Sequence, residues 1–436
     1  MPSPAPEPLT TRPLSIWLVN PFDDLPGEGI PALRYWSLAR GLAARGHDVT
    51  WWSATWSHRR KATRSVPPGL HEAEGFQVRL VAVRPYEKNV SLARLASHRD
   101  FGATFERLAN ESIASGQFER PDIIVASLPP LESAEAAIRV ARRVDAVGVV
   151  DVQDLWPETF ARLIPGPAFL RKPLARLLLG GMERRRQAVL AAADAVSTTT
   201  RKFADVVFPQ VSADRPRHVC HVGTLVQEFP TLGRYVDAVP LAGDQAAPAS
   251  TFEPLQCIYA GSLGTGQDLD TLVAAARSLS AAGTRTVLHV AGTGPLEASL
   301  RSAAGALRGS CEMQVHGLLD HTGYMRLLSR CEVGLVLVKP DSLVAVPNKA
   351  CDYAAASLAL VNSLPGELAR LVEAHAAGVS YTAGDGGSLA RAITGLANDR
   401  RALLGMRHGA RRLALAEFDR ERIYPPFLDW LETLTG

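Results

Sequence analysis

Lys349, Asp352 and Glu367 are the side chains best placed for chemistry in this sequence. They fall within LVAVPNKACDYAAASLALVNSLPGELARLV, a stretch that alternates breaks, short helices and buried strands. Pro347-Asn348 breaks the chain, and the Ala-rich run from Lys349 to Ser357 suits a short helix. Leu358 to Asn362 reads as a buried parallel strand, and Ser363-Leu364-Pro365-Gly366-Glu367 as a turn into a further helix. The three side chains therefore stand at helix beginnings beside strand ends, and an open α/β sheet binds its ligands outside the carboxyl ends of its strands. A helix N-terminus offers free N–H groups and a positive dipole to an anion. Lys349 adds a point charge suited to phosphate, and a neighbouring carboxylate can accept hydrogen bonds from a ribose diol. Lys349 and Asp352 also stand three apart, so a solvated ion pair on one helix is the other reading of the same residues.

Glycine turns recur upstream. Leu255–Ala260 predicts a strand running into Gly261-Ser262-Leu263-Gly264-Thr265-Gly266-Gln267-Asp268, with a helix from Leu269, and this is the order of a phosphate cradle. It lacks the GK[ST] of a P-loop. Thr286–Val290 leads in the same way into Ala291-Gly292-Thr293-Gly294-Pro295, and Val315 leads into His316-Gly317. Near the N-terminus, Gly27-Glu28-Gly29-Ile30-Pro31-Ala32 has GxGxxA spacing. No acid follows the second strand, where Ser53 and Ala54 stand, so a flexible glycine loop over a cleft, or a plain connection, fits better than a dinucleotide fingerprint. Asp151 and Asp154 stand at the carboxyl end of a strand over Val147–Val152. Asp154 either takes the proton of an acceptor hydroxyl or, with Glu158, settles a helix N-terminus behind Pro157.

The elements that must position these residues alternate strand and helix from Ser15 onward, which predicts an α/β fold of two doubly wound halves. At 436 residues the chain exceeds one comfortable core. The expected division is a disordered Pro-rich lead (1–13), a first domain (14–240), a linker (241–254), a second domain (255–417) and a terminal helix (418–436) that packs back onto the first. Residues 57–68, SHRRKATRSVPP, read as a basic, solvated, mobile loop. Apolar residues make up 47% and charged residues 21%, the balance of a soluble globular protein, and a net charge of +3 gives no electrostatic case for nucleic acid. The five cysteines are scattered without a CxxC pair, so neither a metal site nor a disulfide framework is expected, and a reducing cytoplasm is. Residues 168–186 place leucines in one stripe among six basic side chains and one acid. Such a helix suits an anionic membrane surface, or else a core with a solvated basic side.

The order of these landmarks resembles glycosyltransferase family 4, retaining enzymes of the GT-B fold that use nucleotide-sugar donors. The matching segments are the glycine loop with Arg34 and GHDV, then YAGSLGTGQDLDTL, HVAGTGP, HGLLDHTGYMRLLSRCEVGLVLV and VPNKACDYAAASLALVNSLPGELARLV with YTAGD; DVQDLWPE is similar to bacterial N-acetylfucosamine-type transferases. The resemblance spans roughly residues 14–432. It implies two Rossmann-like domains facing a central cleft, no metal, no cofactor beyond a donor substrate of UDP type, and retention of configuration. It also implies a glycan or lipid-linked acceptor and a cytoplasmic protein, either free or peripheral on the inner membrane face. Gly261, Ser262 and Gly264 would underlie the diphosphate, together with the turn of Gly292 and Gly294. The turn at His316-Gly317 would hold the base, Asp352 the ribose, and Lys349, Gly366 and Glu367 the phosphates or the sugar. Gly27, Gly29 and Arg34 would line the cleft, with Arg34 helping to neutralise phosphate, and Asp154 and Lys349 would be catalytic. The chain departs from the family's E-x7-E pair: Val344 replaces the first Glu and Asp352 the second. A non-catalytic scaffold and a nucleotide-sugar epimerase of the same fold are the alternatives.

Overall fold

The computed structural model describes residues 12–25, 28, 33–161, 164, 168–230, 253–264 and 266–436, and for 168–172 the backbone alone. Gly27, Gly29 and most of the 241–254 segment lie outside the described residues. The chain divides into two compact units, one running to His221 and taking in Ile423–Gly436, the other Val222–Arg422.

The first unit holds β1 (Ser15–Val19), α1 (Arg34–Ala44), β2 (Asp48–Ala54), a hairpin of β3 (Trp56–Ser57) and β4 (Ala62–Thr63), β5 (Gly69–Ala73) and β6 (Phe76–Val81). It continues with α2 (Leu92–Ala114), β7 (Ile123–Leu128), α3 (Leu131–Val144), β8 (Val147–Val152), α4 (Glu158–Ala161), α5 (Ala168–Ala192), β9 (Ala195–Thr198), α6 (Arg201–Val207) and β10 (Arg217–Val219). Its sheet runs β10-β9-β8-β7-β1-β2-β6-β5, parallel except for the β5–β6 pair. Every residue of β1 and β7 is buried, because helices cover both faces of a parallel sheet. The strand order reverses at β1, whose neighbours are β2 and β7.

The second unit holds β11 (Leu255–Ala260), α7 (Leu269–Ala281), β12 (Thr286–Ala291), α8 (Glu297–Ala306), β13 (Cys311–Gly317), α9 (His321–Arg330) and β14 (Val333–Val336). Then come α10 (Asn348–Ala355), β15 (Ala359–Asn362), α11 (Glu367–Ala374), β16 (Gly378–Ser380), α12 (Gly386–Asn398) and α13 (Arg400–Leu413). The sheet is wholly parallel in the order β13-β12-β11-β14-β15-β16, with its switch point between β11 and β14. One apolar layer joins Ile258 and Leu360 to Tyr353, Ala410 and Leu413; the other joins Tyr259, Leu288 and Val361 to Leu272 and Ile393.

The last helix, α14 (Arg420–Thr433), places Tyr424, Phe427, Leu428 and Leu431 in the first unit's core. Glu432 is buried there and accepts from Arg45 (2.8 Å) and meets His47 (3.0 Å). Two expectations change. The second unit starts at Val222, well before residue 241, because Val226 and Phe229 are buried in its core. The 57–68 segment is not simply a solvated loop: Arg64 is buried, donating to Ala54 O (2.7 Å), Trp56 O (3.2 Å) and Asp23 O (2.9 Å). A guanidinium with five donors can tie three carbonyls together, and so the hairpin is held from inside.

Candidate functional site

β11, β12 and β13 end side by side, and backbone hydrogen bonds join the glycine turns that follow them. Gly261 N donates to Ala291 O (2.9 Å), Gly292 N to Gly317 O (2.7 Å) and Leu263 N to Thr293 O (2.9 Å). The closeness explains the glycines. Gly292 has φ +135°, a conformation that side chains disfavour, and a Cβ there would run into the carbonyl oxygen of Gly261. Leu296 N donates to Leu263 O (3.0 Å), which ties the Gly294 turn to the first one. Tyr259, buried in the strand, donates its hydroxyl to Ser262 O (2.8 Å) and so fixes the turn that holds Ser262 and Gly264.

Lys349 reaches into this edge from the first turn of α10. Its Nζ lies 3.9 Å from the centroid of the Tyr259 ring. A Cβ on Gly261 would come within 2.9 Å of it, so the ammonium rests on the backbone of the turn. Lys349 is half-buried, and desolvation draws its pKa down to about 7. Among the described residues no carboxylate pairs with it. The solvated Lys349–Asp352 pair is therefore not formed: Asp352 is half-buried and accepts from the Tyr324 hydroxyl (3.3 Å). The N-cap of α10, Pro347, makes no side-chain cap, so only Ala350 N, which donates to Pro347 O (2.8 Å), is tied back at the helix start that carries Lys349.

The other expected contacts take up related positions. Gly366 is exposed with φ +85° and precedes α11, whose first residue, Glu367, is buried. The turn before it is braced by Asn362, which exchanges hydrogen bonds with the backbone of Leu364 (2.8 and 3.0 Å). His316 is exposed at the end of β13, and its Nε2 lies 3.0 Å from Nδ1 of His289. The Nε2 of His289 meets Gln256 Oε1 at 2.9 Å, so His289 donates there and accepts from His316. Burial, reinforced by His316, lowers the His289 pKa to about 4 and keeps it neutral. Val344 is 40% exposed and supplies no acid. Sequence reasoning passed over Tyr259, Tyr353 and Tyr324, whose hydroxyls shape the edge; Tyr353 accepts from Ala260 N (2.7 Å). For Tyr259 the available signal was its place near the end of an apolar strand, where its polar tip must find a partner; Tyr324 and Tyr353 stand in helices and offered no such signal.

In the first unit two expectations are corrected. Arg34 cannot serve a phosphate. It is 2% exposed and bonds both oxygens of Asp151 (2.9 and 3.0 Å), donates to Cys220 O (3.1 Å), and lies over Phe427 (5.0 Å). Asp154 takes the turn-settling role rather than that of a base. Its Oδ1 accepts from Leu155 N (2.8 Å) and the Thr159 hydroxyl (3.1 Å), and its Oδ2 from Trp156 Nε1 (3.1 Å). Burial raises its pKa, against the pull of those donors.

Two family models match the chain, and several solved structures share its fold. Residues 31–223 match the family model described as glycosyl transferase 4-like domain, and residues 254–399 match glycosyl transferases group 1. No curated protein matches the sequence. Among solved structures, sucrose-phosphate synthase from Thermosynechococcus elongatus is similar, with 16% identity, a TM-score of 0.69 and coverage of 97% of this chain and 99% of that one. Anabaena HepE in complex with UDP and glucose has 12% identity and a TM-score of 0.63, over 96% of this chain and 100% of that one. WaaG, a glycosyltransferase involved in lipopolysaccharide biosynthesis, has 13% identity and a TM-score of 0.59, over 95% and 98%.

Proposed function

With a glycosyl transferase 4-like domain in its first half and a group 1 domain in its second, the chain is a glycosyltransferase of GT-B type, and we propose that it transfers a hexosyl-type sugar from a UDP-sugar to an acceptor hydroxyl with retention, in building a bacterial cell-surface glycan. The observation that carries the reading is the unpaired ammonium of Lys349 set against the Gly261 turn, beside the uncapped start of α10. UDP bound to HepE favours a UDP donor, and WaaG favours a surface glycan. As the bond between the anomeric carbon and the phosphate oxygen breaks through an oxocarbenium-like state, negative charge grows on the leaving diphosphate. Fixed N–H groups and Lys349 stabilise that charge without reorganising. The acceptor hydroxyl attacks on the same face, and its proton passes to the leaving phosphate.

Incubation with a panel of UDP-sugars, scored for UDP release and for product anomer by NMR, tests this. Acceptor-dependent UDP release with a retained anomer is expected. UDP binding without release from any donor would favour an inert scaffold, which the missing acid at Val344 would suit. Conversion of the donor sugar to its epimer would favour the epimerase.

No helix among the described residues is long and apolar enough to cross a membrane. A peripheral position on the inner face of the membrane is the reading we favour, through α5. Leu177 and Leu178 are 80% and 62% exposed, with Leu174 one turn earlier on the same face, and Arg176 and Arg184 are exposed too. Arg185 and Arg186 do not contribute to that surface, because they pair with Glu135 (2.5 Å) and Glu158 (2.7 Å). Leu177→Glu with Leu178→Glu is expected to weaken binding to anionic vesicles by at least about tenfold, since each buried leucine contributes roughly 1.5–3 kcal/mol. Unchanged sedimentation with vesicles would defeat the membrane reading.

A further inference from the structure

The carboxyl edge of the first sheet carries two cations without a counter-charge. Arg94, in the first turn of α2, lies over Trp156 (5.0 Å to the ring centroid), Phe22 (5.3 Å) and Tyr86 (6.0 Å). It donates to His98 Nε2 (3.3 Å) and Asn89 O (2.7 Å). Lys61, from the β3–β4 hairpin, lies 4.9 Å from the Tyr86 centroid and donates to Asn89 Oδ1 (2.6 Å) and His58 Nδ1 (3.3 Å). Every one of these acceptors is neutral, and among the described residues no carboxylate stands within ion-pair distance of either cation. Asp154 acts on Arg94 only from farther away. With Nδ1 of His58 assigned as the acceptor from Lys61, beside the Tyr86 hydroxyl at 2.6 Å, the ring proton is placed on Nε2, a further donor with no partner among the described residues.

The placement is that of a ligand site rather than of a core. Phe22 follows the end of β1 at the switch point of the sheet, where doubly wound folds bind their ligands. Arg94, Lys61, His58 and Phe22 are half-buried and open to solvent, whereas Tyr86, His98 and Trp156 are buried and form a floor. Two half-buried like charges repel, and burial together with Arg94 pulls the Lys61 pKa down to about 8. An anion between them removes both penalties.

We propose that this cluster binds the phosphate group of the acceptor, with Arg94, Lys61 and His58 donating to its oxygens and Phe22 offering a ring face to the attached sugar. The proposal rests on the glycosyltransferase reading above. The phosphate could belong to a soluble sugar phosphate or to a lipid-linked one. Val90 and Leu92, 59% and 84% exposed beside Asn89 and Arg94, give a lipid chain an apolar flank.

The test compares glucose 6-phosphate with glucose as ligands in calorimetry, and vesicles containing a short polyprenyl phosphate with phosphatidylcholine vesicles in cosedimentation. Wild-type protein is expected to bind the phosphate-bearing member of at least one pair and not its neutral counterpart. Binding of glucose 6-phosphate alone identifies a soluble acceptor, and binding of polyprenyl phosphate alone a lipid-linked one. Arg94→Gln is expected to weaken the phosphate-dependent binding by about 10–100-fold, the range for hydrogen bonds to charged groups. Lys61→Gln, at a more open position, provides the second variant should Arg94→Gln fail to fold. Equal binding of phosphate-bearing and neutral members, or unchanged affinity in the variants, overturns the proposal. UDP binding by the wild-type protein, measured in parallel, reports on the donor reading separately.

Discussion

Asp151→Ala is expected to destabilise the first unit by about 3–5 kcal/mol, because it leaves the Arg34 guanidinium charged, buried and unpaired. The pair is enclosed: the two side chains are 2% and 0% exposed. Asp151 also accepts from Ser197 (2.7 Å) and Gln153 (3.1 Å), so its loss strands several donors at once. The damage should spread to the chain's end, since Arg34 also lies over Tyr424 and Phe427 and holds Cys220 O. Urea unfolding followed by tryptophan fluorescence reads the effect, because six of the seven tryptophans precede residue 157. Replacing both partners, as Arg34→Met with Asp151→Leu, should recover the part of the loss due to the buried charge, while Ser197, Gln153 and Cys220 O still lose their partners. Burial alone would raise the carboxyl of Asp151, but Arg34 and the hydrogen bonds outweigh it and hold the pKa below the ordinary value. This contribution is therefore complete above the ordinary carboxylate pKa of about 4 and is lost as pH falls through the lower folded value. A single-variant cost below about 1 kcal/mol would show that the pair does not hold the unit together.

Arg34 also marks where sequence reasoning runs out. The double winding was legible because strands such as Ser15–Val19 and Val147–Val152 are mostly apolar runs between helix-spaced stretches, and that pattern follows directly from burial on both faces. The glycine turns at 261, 292 and 317 were legible for a similar reason: each ends a strand, and strand ends converge on one edge. An arginine two residues beyond a glycine loop looks like a ligand contact, however, and nothing local reveals that its partner stands 117 residues later, in β8. Lys61 and Arg64 were hidden likewise inside a basic run that reads as solvated, although one faces Tyr86 and the other is buried under its hairpin. β5 (GLHEA) carries no apolar alternation because it is an edge strand with one side open. Charges fold into a core only through partners distant in sequence, so their roles are set by tertiary packing rather than by spacing.

Lys349 offers the sharpest check on the chemistry. Its ammonium is set against the Gly261 turn, and among the described residues no acid neutralises it. Lys349→Met is expected to lower kcat/KM by about 100–1,000-fold, the range for removing a preorganised donor to a developing oxyanion. The pH dependence separates a charge role from a packing role. Desolvation lowers the pKa to about 7 in the empty site, so the charge is full below that value and is lost as pH rises through it. The diphosphate of a UDP-sugar keeps its charge across this range, so the lysine alone titrates. Donor affinity should therefore fall by about tenfold per unit above pH 7, or 1.36 kcal/mol per unit, until the higher pKa of the complex is reached. Lys349→Arg keeps its charge throughout and should give a flat profile even where its planar group fits less well. A wild-type affinity that stayed constant from pH 6 to 9, with Lys349→Met binding as tightly, would remove Lys349 from the donor site. A flat profile with weakened Lys349→Met binding would instead mean that the side chain acts through its bulk against Tyr259, and the diphosphate would then depend on the helix N-termini and turn N–H groups alone.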